Sequence, residues 1–330
     1  MTQLVGSLVL DGLTLTPLTP TIGAEVGGID LRQPLEAGQV AAIRQALLDW
    51  KVLFFRDQEI TTDQHLDFAR NFGGLEVHPF APEKPGYPEV LAITHNRESR
   101  GKENFWHSDV TWREKPSLGS ILRAIEIPPL GGDTLFADMY AAYDGLTDEI
   151  KAKIEGAYAV HDFAHFRKLL VKQGKTPEEV EAFNKLYPMM EHPVVRTHPE
   201  TGRKAIYVNV AFTQHIVGMD KAESDVLLKH LYAQAAIPEY QCRFRWQPHS
   251  IAFWDNRASQ HYAASDYWPA VRRMERVTIL VREIFEAPEA AEGVAHQVDL
   301  GPHLRLGLFD LALGLVEHAA FAQVFVGAAA

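Results

Sequence analysis

The chain has 330 residues, of which 46% are hydrophobic, enough to bury one large core or two modest ones. Its net charge of −11 argues against nucleic-acid or anionic-membrane partners, because both require a basic surface. The lone cysteine, Cys242, excludes an internal disulfide and is typical of a reducing compartment. Since neither a signal peptide nor an apolar run of about 18 residues is present, we predict a soluble cytoplasmic protein.

The first third of the chain alternates strand and helix. Residues 8–31 read as short strands separated by glycine turns, and residues 35–50 carry apolar side chains at helical spacing. A buried strand is predicted over 51–55. A second helix is predicted over 61–72, where a threonine followed three positions later by a glutamine resembles a capping box.

Short strands dominate from residue 90 onward, and turn residues separate them. The predicted strands are 90–94, 110–112, 120–127, 205–209, 241–246, 251–254 and 276–283. Helices predicted over 148–155, 177–186 and 221–235 interrupt them, and we expect these to pack outside a barrel or to cover its mouth. This pattern predicts a mainly β jelly roll, or double-stranded β-helix, with flanking helices.

The domain organisation is predicted to be one main domain over 1–286 and a C-terminal extension over 287–330. The extension is rich in alanine and leucine, but charged residues interrupt its apolar stretch, so it is not predicted to span a membrane. Two interpretations stay open. The extension is either an amphipathic helix docked on the body or on a second subunit, or a disordered tail.

Two His-x-Asp pairs occur in the chain, His65 with Asp67 and His107 with Asp109. Residues i and i+2 share a face on a strand but point roughly 200° apart on a helix. The first pair lies in a predicted helix, whereas the second lies in a run that looks extended. Only the second pair is therefore expected to share a metal ion.

A distant histidine completes a candidate metal site. Residues 251–257 read as a buried strand and a turn, and His261 follows at the start of the next element. Two histidines and one carboxylate on one face leave positions open on ferrous iron for substrate and oxygen. We therefore predict that His107, Asp109 and His261 bind Fe(II) in a non-haem iron oxygenase.

Two arginines alternate along the strand that follows. Arg272 and Arg276 would face the same way, about 13 Å apart at the usual rise. Buried arginine needs an anionic partner, and its planar fork suits a carboxylate or sulfonate. The pair predicts a site for an anionic co-substrate, with pairing to structural acidic residues as the alternative.

Five segments together carry a family resemblance. They are WHSDVTW at 106–112, GGDTLFADM at 131–139, HPVVRTHPETG at 192–202, YVN at 207–209 and WDNRASQHYA at 254–263. From about residue 13 to 285, the chain resembles the 2-oxoglutarate-dependent dioxygenases of the taurine dioxygenase family. The resemblance implies a clavaminate synthase-like fold, Fe(II) on the three predicted ligands, and 2-oxoglutarate and O2 as co-substrates.

The resemblance also implies roles for the co-substrate site. Thr134 and Arg272 would hold the far carboxylate of 2-oxoglutarate. Arg276 would face both the sulfonate of the substrate and the end of the co-substrate nearest the metal. The Trp-Asp-Asn run at 254–256 would shape the turn that positions His261.

A pocket for the primary substrate follows from the same resemblance, formed by His78, Val110, Phe212 and Arg276. His78 would donate a hydrogen bond to a sulfonate oxygen. The implied reaction hydroxylates the carbon next to the sulfonate of taurine or a related organosulfonate. Its products are sulfite, an aldehyde, succinate and CO2.

The pocket departs from the family pattern at three places. Ala81 stands where taurine enzymes carry a tyrosine, and Glu103 stands where they carry an asparagine. Residues 161–166 also differ from the loop that lines taurine in the family. Glu103 could pair with a substrate ammonium, whereas Ala81 makes room for a larger apolar body.

Several alternatives therefore stay open. An alkyl sulfate or an aryloxyalkanoate would present a similar anion to Arg276. In other classes, the three ligands could hold zinc for hydrolysis, or a structural metal in a non-enzymatic jelly-roll binding protein. A homo-oligomer is expected from the frequency of oligomers among soluble enzymes.

Overall fold

The computed structural model of the protein describes residues 8–79, 83–172 and 174–281, except for the side chains at positions 165 and 169. Ala81 and the extension predicted over 287–330 lie outside these residues. Within the described ranges, the strands are β1 (Leu8–Leu10), β2 (Leu13–Pro17), β3 (Ala24–Gly27), β4 (Val52–Phe55), β5 (Glu83–Lys84), β6 (Tyr87–His95), β7 (Gly119–Glu126), β8 (Thr134–Asp138), β9 (Tyr158–His161), β10 (Met190–Pro193), β11 (Val195–Thr197), β12 (Lys204–Ile206), β13 (Thr213–Ile216), β14 (Gln241–Phe244), β15 (Ile251–Asp255), β16 (Ser259–Ala263) and β17 (Arg272–Ile279). The helices are α1 (Ala37–Trp50), α2 (Thr62–Arg70), α3 (Met139–Asp144), α4 (Asp148–Ile154), α5 (Ala164–Lys172), α6 (Pro177–Leu186) and α7 (Lys221–Gln234).

Two facing sheets form the centre of the molecule. The larger sheet has nine strands in the order β1-β2-β3-β4-β15-β7-β17-β6-β5, and the smaller has the order β14-β8-β16. Neighbouring strands are antiparallel in both sheets, except for the parallel pair β3 and β4. This arrangement, with helices on the outside, is the predicted jelly roll.

Aromatic side chains fill the space between the two sheets. Phe54 of β4 stacks on Phe244 of β14, with ring centroids 4.0 Å apart, and meets the edge of Phe136 of β8. Trp254 of β15 contacts the same Phe136 ring. Because these side chains come from both sheets and are buried together, this layer fixes how the sheets face each other.

The outer face of the larger sheet is covered by α1 and α2. Leu47 of α1 and Phe68 of α2 belong to one buried cluster with Phe55 and Phe253 of the sheet. Strand β4 thus buries Phe54 on one face and Phe55 on the other, which explains why its sequence is apolar throughout.

The predicted helices agree with the structure to within two residues at each end, and the capping box of α2 is present. Three strand predictions need correction. Residues 110–112 form a turn instead of a strand, and Val110 has a left-handed φ of 48°. The strand predicted over 205–209 ends at Ile206, and the one predicted over 276–283 begins four residues earlier, at Arg272, and ends at Ile279. Among the described residues, no helix has the length and apolarity required to cross a bilayer.

Candidate metal and co-substrate site

The three predicted metal ligands meet at the edge of the smaller sheet. His107 and His261 form an isolated antiparallel bridge, with mutual backbone N–H to O hydrogen bonds of 3.1 and 2.8 Å. Asp109 follows in a turn, so it does not share a strand with His107 as the sequence suggested. One potential ligand atom from each residue lies within 4.8 Å of the others. The structure therefore brings all three side chains together.

Hydrogen bonding orients the two imidazoles. Nδ1 of His107 lies 2.9 Å from the Phe105 carbonyl oxygen, so we assign the proton to Nδ1, which leaves Nε2 as the electron-pair donor. Nε2 of His261 lies 4.0 Å from Oδ1 of Asp109. Burial lowers the pKa of both histidines, to about 3 for His261, so both rings are neutral, as metal ligation requires.

Asp109 is held by two further side chains. Ser120 Oγ donates to Oδ2 over 3.0 Å, and Arg276 Nη1 donates to Oδ1 over 2.6 Å. Burial alone would raise the pKa of Asp109, but the Arg276 cation and the hydrogen bond from Ser120 lower it well below its usual range. Two neutral imidazoles and one ionised carboxylate suit Fe(II). Among the described residues, no further His, Cys, Asp or Glu joins the cluster, which leaves coordination positions open.

The Trp-Asp-Asn run at 254–256 supports the carboxylate side of this cluster. Trp254 Nε1 donates to Oδ1 of Asn256 over 2.8 Å. Asn256 Nδ2 in turn donates to the hydroxyls of Ser117 and Ser120, at 2.8 and 3.4 Å. The run thus positions Ser120, which contacts Asp109, in addition to leading into the strand of His261.

A pocket of about 570 Å³, including its open mouth, is lined by two of the three ligands, His107 and His261. Thr134 and Arg272 line it. Arg272 is only 4% exposed, and its Nε and Nη2 have no hydrogen-bond partner among the described residues. Burial lowers the pKa of its guanidinium. A buried, unpaired arginine facing a cavity fits the binding of an external anion, because leaving such a charge unpaired is costly.

Thr134 and two aromatic rings complete the surroundings of this arginine. The guanidinium carbon lies 5.9 Å from the ring centroids of both Trp246 and Tyr267. Trp246 Nε1 donates to Thr134 Oγ1 over 2.9 Å, which leaves the threonine hydroxyl hydrogen for another acceptor. Arg272 and Thr134 can thus donate to the same carboxylate, as the family resemblance implies.

The predicted substrate residues lie around Arg276 and the Asp109 turn. Val110 and Phe212 belong to one buried apolar cluster, and Phe166 packs against it. The His78 ring lies 5.4 Å from the Phe166 ring. Burial and then the Arg276 cation lower the pKa of His78 to about 3, so its ring is neutral and close to that arginine. The structure therefore brings four of the five predicted substrate residues into one region.

Glu103 is the exception, because it lines the Arg272 pocket instead of the His78 region. Its carboxylate lies 3.3 Å from Nε2 of His95, and its side chain is 49% exposed. Burial opposes ionisation, but the hydrogen bond and charge interaction with His95 lower the pKa of Glu103 to about 2. Contact between Glu103 and the primary substrate therefore stays a prediction.

Three contributors to the site were missed in the sequence. Ser120 contacts Asp109 directly, and Glu76 is a buried carboxylate that forms an ion pair with Arg113. Burial raises the pKa of Glu76, although the Arg113 and Arg276 cations act in the opposite direction. Arg113 directly follows the 106–112 segment, and that position was the only sequence signal for it.

Comparisons with known proteins agree with this geometry. The family described as "Taurine catabolism dioxygenase TauD, TfdA family" matches residues 14–278. An alkylsulfatase from Acinetobacter baylyi is 37% identical over 272 residues, which cover 81% of this chain and 84% of the relative. An alpha-ketoglutarate-dependent 2,4-dichlorophenoxyacetate dioxygenase from Cupriavidus pinatubonensis is 34% identical over 281 residues, covering 80% of this chain and 96% of the relative.

A solved structure shows the same architecture. The crystal structure of a taurine dioxygenase from Burkholderia xenovorans is similar with a TM-score of 0.70 and 38% identity, covering 82% of this chain and 89% of that one. Fold, sequence and a His-Asp-His cluster therefore agree. The chain belongs to the taurine catabolism dioxygenase TauD, TfdA family, and it is a 2-oxoglutarate-dependent non-haem iron dioxygenase that uses Fe(II), 2-oxoglutarate and O2.

Proposed function

We propose that this dioxygenase hydroxylates the carbon that bears the sulfur group of an organosulfonate or the ester oxygen of an alkyl sulfate. Hydroxylation at that carbon gives an unstable product that expels sulfite or sulfate and leaves an aldehyde. The observation that supports an anionic substrate is the position of Arg276. Its Nη1 contacts Asp109 while its buried Nε has no hydrogen-bond partner among the described residues.

The metal ligands in this proposal are His107, Asp109 and His261. When bound there, Fe(II) with 2-oxoglutarate and O2 supplies the oxidant that removes a hydrogen atom from the substrate. The protein itself contributes orientation and the exclusion of water. Neutral imidazoles and the Ser120 hydrogen bond to Asp109 keep the ligand set ready to bind the cation.

Arg272 and Thr134 are proposed to bind the far carboxylate of 2-oxoglutarate. The unpaired nitrogens of Arg272 provide the charge, and the Thr134 hydroxyl provides a further donor. Arg276 then faces the near end of the co-substrate and the anion of the primary substrate. Neutral His78 adds a hydrogen-bond donor beside Arg276 without adding charge.

The body of the substrate is proposed to be an alkyl chain instead of an aminoethyl group. Val110, Phe166 and Phe212 make the region beside Arg276 apolar and aromatic. An ammonium group would need an acceptor there, but Asp162 uses both carboxylate oxygens on Arg167, and Glu76 pairs with Arg113 through Oε1, which leaves only Glu76 Oε2 without a hydrogen-bond partner among the described residues. Taurine itself therefore stays a prediction, and an alkanesulfonate or alkyl sulfate agrees better with this wall.

An aryloxyalkanoate is the second candidate. The aromatic side chains of the same wall could pack against an aryl ring, and the carboxylate would take the position of the sulfur anion at Arg276. The similarity to a 2,4-dichlorophenoxyacetate dioxygenase favours keeping this candidate. Membership of the dioxygenase family argues against the zinc hydrolase and the non-enzymatic binding protein. The cytoplasmic location, the homo-oligomeric state and the domain limits of 1–286 stay predictions.

A product assay separates these substrates. Purified enzyme with Fe(II), 2-oxoglutarate and ascorbate would be given taurine, hexanesulfonate, hexyl sulfate and phenoxyacetate in parallel. Sulfite reports sulfonate cleavage, sulfate reports ester cleavage, and phenol reports aryloxyalkanoate cleavage, while succinate reports turnover of the co-substrate. We expect hexyl sulfate or hexanesulfonate to give the largest kcat/KM. Phenol release as the dominant activity would overturn the organosulfur proposal.

A further inference from the structure

Val110, the residue after the metal ligand Asp109, has a left-handed backbone with φ of 48°. Such a conformation is a genuine outlier for a β-branched residue and is strained. It persists only where the surrounding structure holds it. The Val110 side chain is buried among aromatic residues, so packing provides part of that support. The next residue provides the rest through hydrogen bonds.

Thr111 is anchored by two buried side chains from other parts of the chain. Its Oγ1 lies 2.9 Å from Nδ1 of His161 and accepts a 3.0 Å hydrogen bond from Nδ2 of Asn209. All three residues are fully buried. Because an amide NH2 can only donate, the Thr111 hydroxyl hydrogen is available for His161.

The same contacts continue to Thr213. With Nδ1 of His161 accepting from Thr111, its Nε2 carries the proton and donates to Thr213 Oγ1 over 3.3 Å. The backbone N–H of Asn209 donates to that same oxygen over 3.0 Å. Burial lowers the pKa of His161 to about 3, so the neutral ring needed for this pattern is the stable form. We call Thr111, His161, Asn209 and Thr213 the Thr111 network.

Asn209 also holds the loop that carries Phe212. Its Oδ1 accepts the backbone N–H groups of Ala211 and Phe212, at 3.1 and 3.2 Å. One side chain therefore donates to the turn of Asp109 and accepts from the loop of Phe212. Asn209 ends the YVN segment at 207–209, for which the proposed reaction provides no other role.

We propose that Asn209 is a positioning residue that fixes the metal ligand Asp109, through Thr111, and the substrate wall at Phe212 at the same time. The role of Phe212 rests on the proposed function, whereas the link to Asp109 depends only on the metal site. The two effects can be measured separately. Neither requires Asn209 to touch iron, co-substrate or substrate.

The test compares four variants of the full chain. Thr111→Val removes the hydroxyl, whereas Thr111→Ser keeps it. Asn209→Ala removes both the hydrogen bond to Thr111, which we call the Asp109 arm, and the hydrogen bonds from the Ala211 and Phe212 amides, which we call the Phe212 arm. Asn209→Ser keeps a short acceptor for the loop amides but cannot reach Thr111. Ser224→Ala is the matched control. The Ser224 hydroxyl is buried and accepts the N–H of Ile216 in strand β13, so this variant also loses one buried hydrogen bond.

Mn(II) affinity of the metal-free chain, without co-substrate or substrate, reports the Asp109 arm. We expect Thr111→Val, Asn209→Ala and Asn209→Ser to weaken Mn(II) binding about 10- to 100-fold, as supporting contacts of metal ligands typically do. Thr111→Ser and Ser224→Ala should stay within about threefold of the wild type. If Thr111→Val binds Mn(II) as tightly as the wild type, the Asp109 arm is refuted. Should Asn209→Ala fail to fold, the two Thr111 variants decide this arm alone.

Steady-state kinetics report the Phe212 arm. Asn209→Ala should raise the KM for the best substrate about tenfold while the KM for 2-oxoglutarate stays within about threefold, because Phe212 is not among the residues that line the Arg272 pocket. Thr111→Val should raise the substrate KM less than Asn209→Ala does, because it leaves the Phe212 loop bonded to Asn209 Oδ1. An equal rise of both KM values in Asn209→Ala would contradict the Phe212 arm. Since Mn(II) binding needs no substrate, failure of the organosulfur proposal leaves the Asp109 arm testable.

Discussion

The two His-x-Asp pairs have the same spacing but entirely different surroundings. On α2, His65 is buried against the Ile121 carbonyl at 3.2 Å, whereas the Asp67 side chain is 72% exposed and pairs with Arg70. At the other pair, both side chains are buried and point at His261. Helical geometry separates residues i and i+2, so spacing alone does not define a metal site.

The way in which His107 and Asp109 converge was not predicted correctly. A continuous strand would have placed both on one face, but only His107 pairs with His261, and a turn with a left-handed Val110 brings Asp109 back to the cluster. The same convergence therefore depends on side chains that hold the turn. This need for support distinguishes the metal pair from the helical pair.

The two aspartates should show the largest difference. Asp109→Ala removes the only carboxylate of the cluster found among the described residues, and we expect succinate formation to fall at least about a thousandfold. Asp67→Ala alters an exposed helix residue and should leave succinate formation within about twofold. A succinate assay at saturating Fe(II) and 2-oxoglutarate measures both. Substantial turnover by Asp109→Ala would refute its role as a ligand.

The buried arginines near the two pairs differ in a similar way. Arg123, near His65, pairs with Glu275 at 2.6 Å, whereas two nitrogens of Arg272 have no hydrogen-bond partner in the described part of the chain. We expect Arg272→Ala to weaken 2-oxoglutarate binding about a hundredfold, since charge-assisted hydrogen bonds are lost. Anaerobic titration with 2-oxoglutarate measures this, and Mn(II) affinity should stay unchanged as the control. Equal 2-oxoglutarate affinity in the variant would assign the pocket to another anion.

The pH dependence of stability sharpens the structural role of His65. Burial lowers its folded pKa to about 3, below the unfolded value, so its stabilising contribution is present near pH 7 and is lost as the pH falls. Between pH 7 and 5 this amounts to about 2 kcal/mol. Because glutamine does not titrate, the unfolding free energy of His65→Gln should fall by about 2 kcal/mol less than that of the wild type between pH 7 and 5. Urea melts at both pH values measure this difference. Identical pH slopes would show that the pKa of His65 is the same in the folded and unfolded chains.

Ser120→Ala should have the smallest effect. Its hydroxyl donates to Asp109 over 3.0 Å and accepts a hydrogen bond from Asn256. Among the described residues, the exposed Asp67 has no such serine contact. We expect a loss of Mn(II) affinity of about tenfold, with the fold retained. Isothermal titration of the metal-free chain measures this change. An unchanged affinity would show that Arg276 alone orients the carboxylate.

Local patterns explain what the sequence predicted well. Helix α1 was located from its apolar spacing and helix α2 from its capping residues, and both signals lie close together in the chain. The jelly roll and the three ligands followed from strand patterns, motif order and the family resemblance. Helix α5 was missed, since it falls in the 161–166 segment and beyond, where no capping signal marked its start.

Contacts between distant residues explain what was missed. The hydrogen bond from Asn209 to Thr111 joins positions 98 residues apart, and that from Asn256 to Ser120 joins positions 136 apart. Single serines, threonines and asparagines carry no pattern that reveals such partners. The pairing of Glu103 with His95 could not be predicted for a related reason, because it depends on how β6 runs beside the co-substrate pocket.

The central claim, that His107, Asp109 and His261 hold one Fe(II) with positions left open, is tested most directly by anaerobic titration of the metal-free chain with Fe(II) in the presence of 2-oxoglutarate. Wild type should bind one Fe(II) and one 2-oxoglutarate per chain, and His261→Ala should lose most of its Fe(II) affinity while keeping its fold, because the bridge to His107 uses only backbone atoms. Undiminished, one-to-one Fe(II) binding by His261→Ala would contradict the account.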